Sequence, residues 1–235
     1  MLLLAIDTST RVGAIALRDE NGPVGSLTMS VDTTHSEGLM VAVDTLLARC
    51  RRQREELTAV ACAIGPGSYT GLRVGLATAQ GLAYARRLAC VGLSSLDVLA
   101  WVLPYAAHPV CPLLPARKGW IYARLYRWNV DSFQPLSEPL HIQPAELVSS
   151  IREPTFLYGP GLEPYRPAFQ GMLGDQWLRL PSIFDVPRAD LLAELAYQRL
   201  QAGDAVAPEA LLPYYLGPSQ AEVNWKIKQS QATPG

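Results

Sequence analysis

Residues 57–91 read LTAVACAIGPGSYTGLRVGLATAQGLAYARRLACV, and this stretch decides the architecture. Leu57–Ile64 is a continuous apolar run of strand length, Gly65-Pro66-Gly67 breaks it, and a helix is predicted from about Gly71 to Arg86 before a short strand near Leu88–Val91. Strand, helix and strand in that order belong to a sheet with helices on its faces. Gly71, Gly75, Ala79 and Ala83 form an i, i+4 row, with Leu72, Leu76 and Leu82 on the same side. The opposite side holds Val74, Ala77, Thr78, Gly81 and Ala85, and only the sector of Arg73, Gln80 and Tyr84 is polar. A helix apolar on nearly all sides is buried on nearly all sides. Its interior glycines cost roughly 1 kcal/mol each against alanine, so close backbone approach is expected to offset them. One flank suits the chain's own sheet and the other requires a further surface. We therefore expect Leu39, Val43 and Leu46 of the preceding helix to join Gly71, Leu72, Gly75, Leu76, Ala79, Leu82 and Ala83 in a protein–protein interface. Burial by the third helix and the second half of the chain is the alternative.

Toward the N-terminus, Leu2–Ile6 suits a strand buried on both faces. Val12–Leu17 and Val24–Val31, joined through Asn21-Gly22-Pro23, extend it as a hairpin. Ser36 is placed to cap a helix running to about Arg49, with Leu39, Val43, Leu46 and Cys50 at helical spacing. Toward the C-terminus, Ser94 or Ser95 caps a third helix toward Tyr105. After His108-Pro109 a related order begins again. Val110–Pro115, Trp120–Trp128 and Leu136–Ile142 read as strands, Pro144 opens a helix to about Ile151, Thr155–Tyr158 reads as a strand, and Arg188–Gln201 as a helix. The expectation is a mixed α/β protein of two similar lobes, residues 1–107 and 108–225, the end of the second packing back on the first. A frayed polar tail is expected over 226–235.

The 235 residues carry 20 Lys+Arg and 21 Asp+Glu, a net charge of −1 that argues against nucleic-acid binding by bulk electrostatics. Hydrophobic residues at 49% rule out a disordered chain. Charged residues at 17% fall under the roughly 25% of an average soluble protein, which favours an apolar surface and a protein partner. Cysteines 50, 62, 90 and 111 form no CxxC pair, so a reducing cytosol is expected. The opening MLLLAID is too short for a signal peptide, and no run approaches the ~20 apolar residues that cross a bilayer, so no membrane association is expected.

Asp7-Thr8-Ser9-Thr10 ends the first strand and could present a carboxylate and hydroxyls to a phosphate, although turn capping explains the same residues. Gly65-Pro66-Gly67-Ser68 precedes a helix, where converging N–H groups suit an anion, although a tight packing turn is the simpler reading. Neither GxxxxGK[ST] nor GxGxxG is present. Asp7, Thr8, Ser9, Gly65, Gly67 and Ser68 are thus carried as a vestigial nucleotide site at most. His35, His108 and His141 are the three histidines, and no HxxxH or HExxH pair exists, so a capping or packing role suits His35 better than metal ligation. Arg49, Arg51, Arg52 and Arg54 suit the negative end of a helix dipole, with RNA or an acidic partner as the alternative.

AIDTST near the start, THSEGL before the first helix and GPGSYTGLRVGLATAQGLAYA together resemble the bacterial TsaB (YeaZ) family of tRNA threonylcarbamoyladenosine biosynthesis proteins. ARKGWIYARLY at 116–126 and PEALLPYYL at 208–216 resemble that family's later signatures. The resemblance implies an actin-like fold of two ribonuclease-H-type lobes and a non-catalytic subunit. That subunit would bind the transferase TsaD and, with the ATPase TsaE, support modification of adenosine 37 in tRNAs reading codons that begin with adenine. It implies that the partner complex uses ATP and magnesium, that tRNA is met only indirectly, and that helices matching 36–50 and 71–87 bind TsaD. Those helices would pair as a homodimer when the chain is alone. On this reading Gly75→Leu abolishes association with TsaD and leaves the chain folded. The metal-binding histidine pair of TsaD has no match here, and Pro115 stands where the family usually has aspartate, so no role of that aspartate transfers. An ATP-dependent phosphotransferase of the actin and sugar-kinase type is the alternative function, with Asp7–Thr10 as its first phosphate turn. A metalloprotease fails for want of ligands.

Overall fold

The computed structural model describes residues 1–30, 35–218, 222 and 225. The tail expected over 226–235 and the end of the strand expected to reach Val31 lie outside the described residues, as do the side chains of His35, Ser36 and Glu37. The first sheet holds β1 (Leu2–Asp7), β2 (Val12–Asp19), β3 (Gly22–Ser30), β4 (Ala59–Gly65) and β5 (Ala89–Ser94), in the order β3-β2-β1-β4-β5. β1 pairs antiparallel with β2 and parallel with β4. This is the expected meander feeding βα units. The unbroken apolar run of β1 has a direct cause. Leu2, Leu4 and Ile6 face α1 (His35–Arg49) and α2 (Tyr69–Arg86), while Leu3 and Ala5 face α6 (Ala189–Gln201) on the other side of the sheet.

The second sheet holds β6 (Val110–Pro115), β7 (Ile121–Ala123), β8 (Tyr126–Asn129), β9 (Ser132–Pro135), β10 (Leu140–Ile142), β11 (Thr155–Tyr158) and β12 (Trp177–Leu178). Its path runs β10-β7-β6-β11-β12, and β8 pairs with both β6 and β9. α3 (Ser95–Ala100) leads into it, and α4 (Pro144–Ser150) and α5 (Arg166–Leu173) cover it. The two sheets are joined by a shared core in which Leu96 and Leu99 of α3 meet Val110, Leu114, Tyr126 and Tyr158. The buried Tyr158 hydroxyl lies 3.0 Å from the Leu99 carbonyl.

Several elements differ from expectation. Trp120–Trp128 is two strands, because β7 pairs with Leu113–Pro115 while β8 pairs with Val110, and Arg124 at the break turns its guanidinium to Asp97 and the Ser137 carbonyl. Leu136–Ile142 does not form one strand. Pro135 ends β9 and Pro139 precedes β10, and neither has an N–H to donate to a ladder. α3 stops at Ala100 instead of running toward Tyr105, where Pro104 disfavours helical geometry before it and Tyr105 has φ 61°. Ser94 caps α3 through Asp97 N, while Ser36 falls inside the first turn of α1. α5 and β12 have no counterpart in the expected elements.

Candidate functional site

Asp7, Thr8, Ser9 and Thr10 are all buried. Ser9 N donates to Asp7 Oδ1 at 2.9 Å, closing an Asx turn, and Thr10 Oγ1 bonds both the carbonyl and the amide of Val12. Against this turn lies the glycine loop. Ser68 N donates to the Ser9 carbonyl at 2.7 Å, and Thr8 Oγ1 donates to the Gly71 carbonyl at 2.7 Å. Ser68 Oγ in turn accepts from Gly71 N and caps α2. The structure thus brings together Asp7, Thr8, Ser9, Gly67 and Ser68 of the six residues carried as a vestigial nucleotide site, whereas Gly65 faces Leu72 and the Tyr214 carbonyl. The contact between them is backbone on backbone: a Cβ on Gly67 would lie 2.4 Å from the Ser9 carbonyl oxygen. Ser9 Oγ is buried with no hydrogen-bond partner among the described residues.

Gly71 and Gly75 of α2 sit where close approach demands glycine, against the chain's own first turn. A Cβ on Gly71 would lie 2.0 Å from the Thr8 carbonyl oxygen, and one on Gly75 would lie 2.3 Å from Thr8 Oγ1. This corrects the expected interface. Gly71, Leu72, Gly75, Leu76, Ala79 and Ala83 are buried within this chain, and so are Leu39, Val43 and Leu46 of α1. They form the core between α1, α2 and the sheet, and of the ten residues assigned to docking Leu82 alone is partly exposed. Gly75→Leu is therefore expected to disrupt the packing of α2 on β1, not to leave the chain folded.

The flank that remains open is the opposite one. Ala77, Gly81 and Ala85 are exposed, Val74 and Thr78 half-buried, and nothing lies within 4 Å of a Cβ built on Gly81. On α1, Val41, 64% exposed, and Thr45 are open as well. The polar sector of α2 is covered by the chain's own C-terminal segment. Gln80 Nε2 donates to the carbonyls of Pro208 and Leu211, both at 3.1 Å, Tyr84 OH bonds Glu209, and Arg73 Nε donates to Tyr215 OH at 3.0 Å. Tyr69 stacks on Tyr215 at 4.9 Å. Beyond it, Tyr214 N donates to the Ile64 carbonyl at 2.8 Å, and the Tyr214 carbonyl crowds Gly65, whose φ of 116° favours glycine. The end of the second lobe was expected to pack back on the first, but the sequence did not show that it lies on the polar stripe of α2. PEALLPYYL has no periodicity, and the only signal was the isolated polar stripe on α2 that it satisfies.

Arg52 pairs with Asp19 and Glu56, and Arg54 with Asp44, so half of the basic run is engaged in ion pairs within the chain. His141 packs between Trp120 and Tyr122, and its pKa is lowered by burial and by Arg117. Burial raises the thiol pKa of Cys62, and that of Cys111 to about 12. Among the described residues no three His, Cys, Asp or Glu side chains gather as a metal site requires, and no helix is long and apolar enough to cross a membrane.

The family model described as TsaD, tRNA N6-adenosine threonylcarbamoyltransferase, matches residues 29–225. The chain is 28% identical over 228 residues to the tRNA threonylcarbamoyladenosine biosynthesis protein TsaB of Bacillus subtilis (strain 168), a match covering 96% of this chain and 98% of that protein. The protein of the same name from Escherichia coli (strain K12) is 27% identical over 235 residues, covering 96% and 97%. Among solved structures, YeaZ from Pseudomonas aeruginosa matches with a TM-score of 0.76 at 26% identity, over 92% of this chain and 99% of that one. The two mixed sheets flanked by helices, their shared core and these likenesses agree with the expected fold, and the chain belongs to the TsaD family, where it stands with the TsaB (YeaZ) proteins.

Proposed function

We propose that this chain serves tRNA threonylcarbamoyladenosine synthesis as a cytoplasmic subunit without an active site of its own. It acts by binding the transferase TsaD, and TsaE with it, in the modification of adenosine 37 in tRNAs reading codons that begin with adenine. The partner complex uses the ATP and magnesium, and tRNA is met through the partner. The observation that carries this reading is the open flank of α2. Ala77, Gly81 and Ala85 form a row of small side chains that allows a second helix to approach the backbone closely, and Val41 and Thr45 of α1 are open as well. A surface this apolar, in a chain with only 17% charged residues, is what a docking subunit offers. Alone, two copies would pair through the same face about a two-fold axis.

The test is Gly81→Trp. The position has open space around it, so the substituted chain keeps its melting temperature while the indole blocks close approach. Association with purified TsaD, measured by calorimetry, is expected to weaken by about 100-fold or more, a loss of ~3 kcal/mol. Wild-type affinity in the folded variant would overturn the reading. The phosphotransferase alternative is separated by titrating the chain alone with ATP and magnesium. Turnover by this chain without partners would establish it, and the packing of the glycine loop on the Asp7–Thr10 turn speaks against it.

A further inference from the structure

On the face of the first sheet opposite α1 and α2, a cleft of about 420 Å³ opens between α3, the β8–β9 hairpin and the last turns of α6. We propose that it binds a free aromatic α-amino acid whose ring carries a hydrogen-bond donor, the chemistry of tryptophan or tyrosine.

The walls are aromatic and held at fixed angles. Trp101 meets Phe133 edge to face at 6.1 Å, and Tyr126 meets Phe133 likewise at 6.3 Å. At the side of this aromatic corner stands Asp97. Tyr126 OH donates to its Oδ1 at 2.6 Å, and Arg124 donates to the same oxygen at 3.2 Å. Both bonds fall on Oδ1. The side chain is 40% exposed, which leaves Oδ2 to accept from an indole N–H or a phenol O–H.

Arg199 and Asp204 also line the cleft. Asp204 N donates to the Arg199 carbonyl at 2.9 Å, which fixes the two residues side by side, yet among the described residues neither side chain enters an ion pair. Arg199 in the last turn of α6 suits the helix dipole, but a carboxylate just beyond a helix C-terminus does not. Helix stability therefore explains one of the two charges and not the other. A ligand that brings a carboxylate to Arg199 and an ammonium to Asp204 accounts for both. A nucleotide would set its phosphates near Asp97 and Asp204, and a hydrocarbon would leave the charges unanswered. The volume falls within the roughly 300–1,000 Å³ of small-ligand sites.

Calorimetric titration of the full chain with L-tryptophan tests this. Saturable binding at one site is expected, weaker by about tenfold for tryptamine, which lacks the carboxylate, and for L-phenylalanine, which lacks the ring donor. Arg199→Met, at an exposed position, is expected to weaken L-tryptophan about tenfold and leave tryptamine unchanged. Ala202→Trp, which fills the cleft from its exposed rim, is expected to abolish binding with the melting temperature retained. Absence of saturable binding up to about 10 mM would overturn the proposal, as that is weaker than ~3 kcal/mol. So would binding that Arg199→Met and a folded Ala202→Trp both leave unchanged. None of these readouts involves TsaD, so failure here leaves the docking proposal standing.

Discussion

The two flanks of α2 are built from the same small residues and have opposite fates. Gly71, Gly75, Ala79 and Ala83 lie buried against the Asp7–Thr10 turn and the core with β4, whereas Ala77, Gly81 and Ala85 are exposed. The distinction lies in what surrounds each glycine. At Gly71 and Gly75 a methyl group would enter the space of Thr8, so glycine is required by the chain's own packing. At Gly81 nothing lies within 4 Å, so nothing within the described chain requires glycine there. A glycine kept in a helix interior, at roughly 1 kcal/mol against alanine and without an internal reason, points to a surface that comes from outside.

The largest expected effect tests the inner flank. Gly75→Leu should destabilise the chain by about 3 kcal/mol or more, because overpacking displaces Thr8 and with it the hydrogen bond to the Gly71 carbonyl. Urea denaturation measures this, and an unchanged midpoint would show that the inner flank is not packed as described. Next comes the sector covered by the C-terminal segment. Gln80→Leu removes both bonds to the Pro208 and Leu211 carbonyls, and should cost about 1–2 kcal/mol and speed proteolysis after residue 207. Unaltered cleavage would mean that Gln80 does not hold this segment. The smallest effect sharpens the contrast. Gly81→Ala should raise stability by about 0.5–1 kcal/mol through helix propensity, as a glycine without packing duties allows. A loss of stability at Gly81 would erase the difference between the flanks.

The same helix shows how far the residues alone could lead. The βαβ unit around residues 57–91, the buried first strand and the cap at Ser94 were legible because apolar runs, glycine breaks and hydroxyl caps act locally. That α2 is apolar on two flanks was also legible. Which flank the chain keeps for itself was not. Periodicity fixes the angle between side chains and leaves the rotation of the helix on its sheet open, and Leu72 and Leu76 on one side are balanced by Val74 on the other. The polar stripe of Arg73, Gln80 and Tyr84 was legible as polar, but not what covers it: it meets residues 208–215, more than 120 positions away in sequence. The cleft between α3, the β8–β9 hairpin and α6 was beyond local reading for the same reason, since Trp101, Phe133 and Arg199 become neighbours only once both sheets are docked.

The most direct test places a cysteine on each flank. Ala77→Cys and Ala79→Cys differ by two residues, and each is read by thiol-labelling rate against the background of Cys50, with and without TsaD. Rapid labelling is expected at position 77, suppressed by TsaD, and no labelling at position 79 in either state. Labelling at 77 that continues unchanged in the complex, or rapid labelling at 79 in the folded chain, would contradict this expectation.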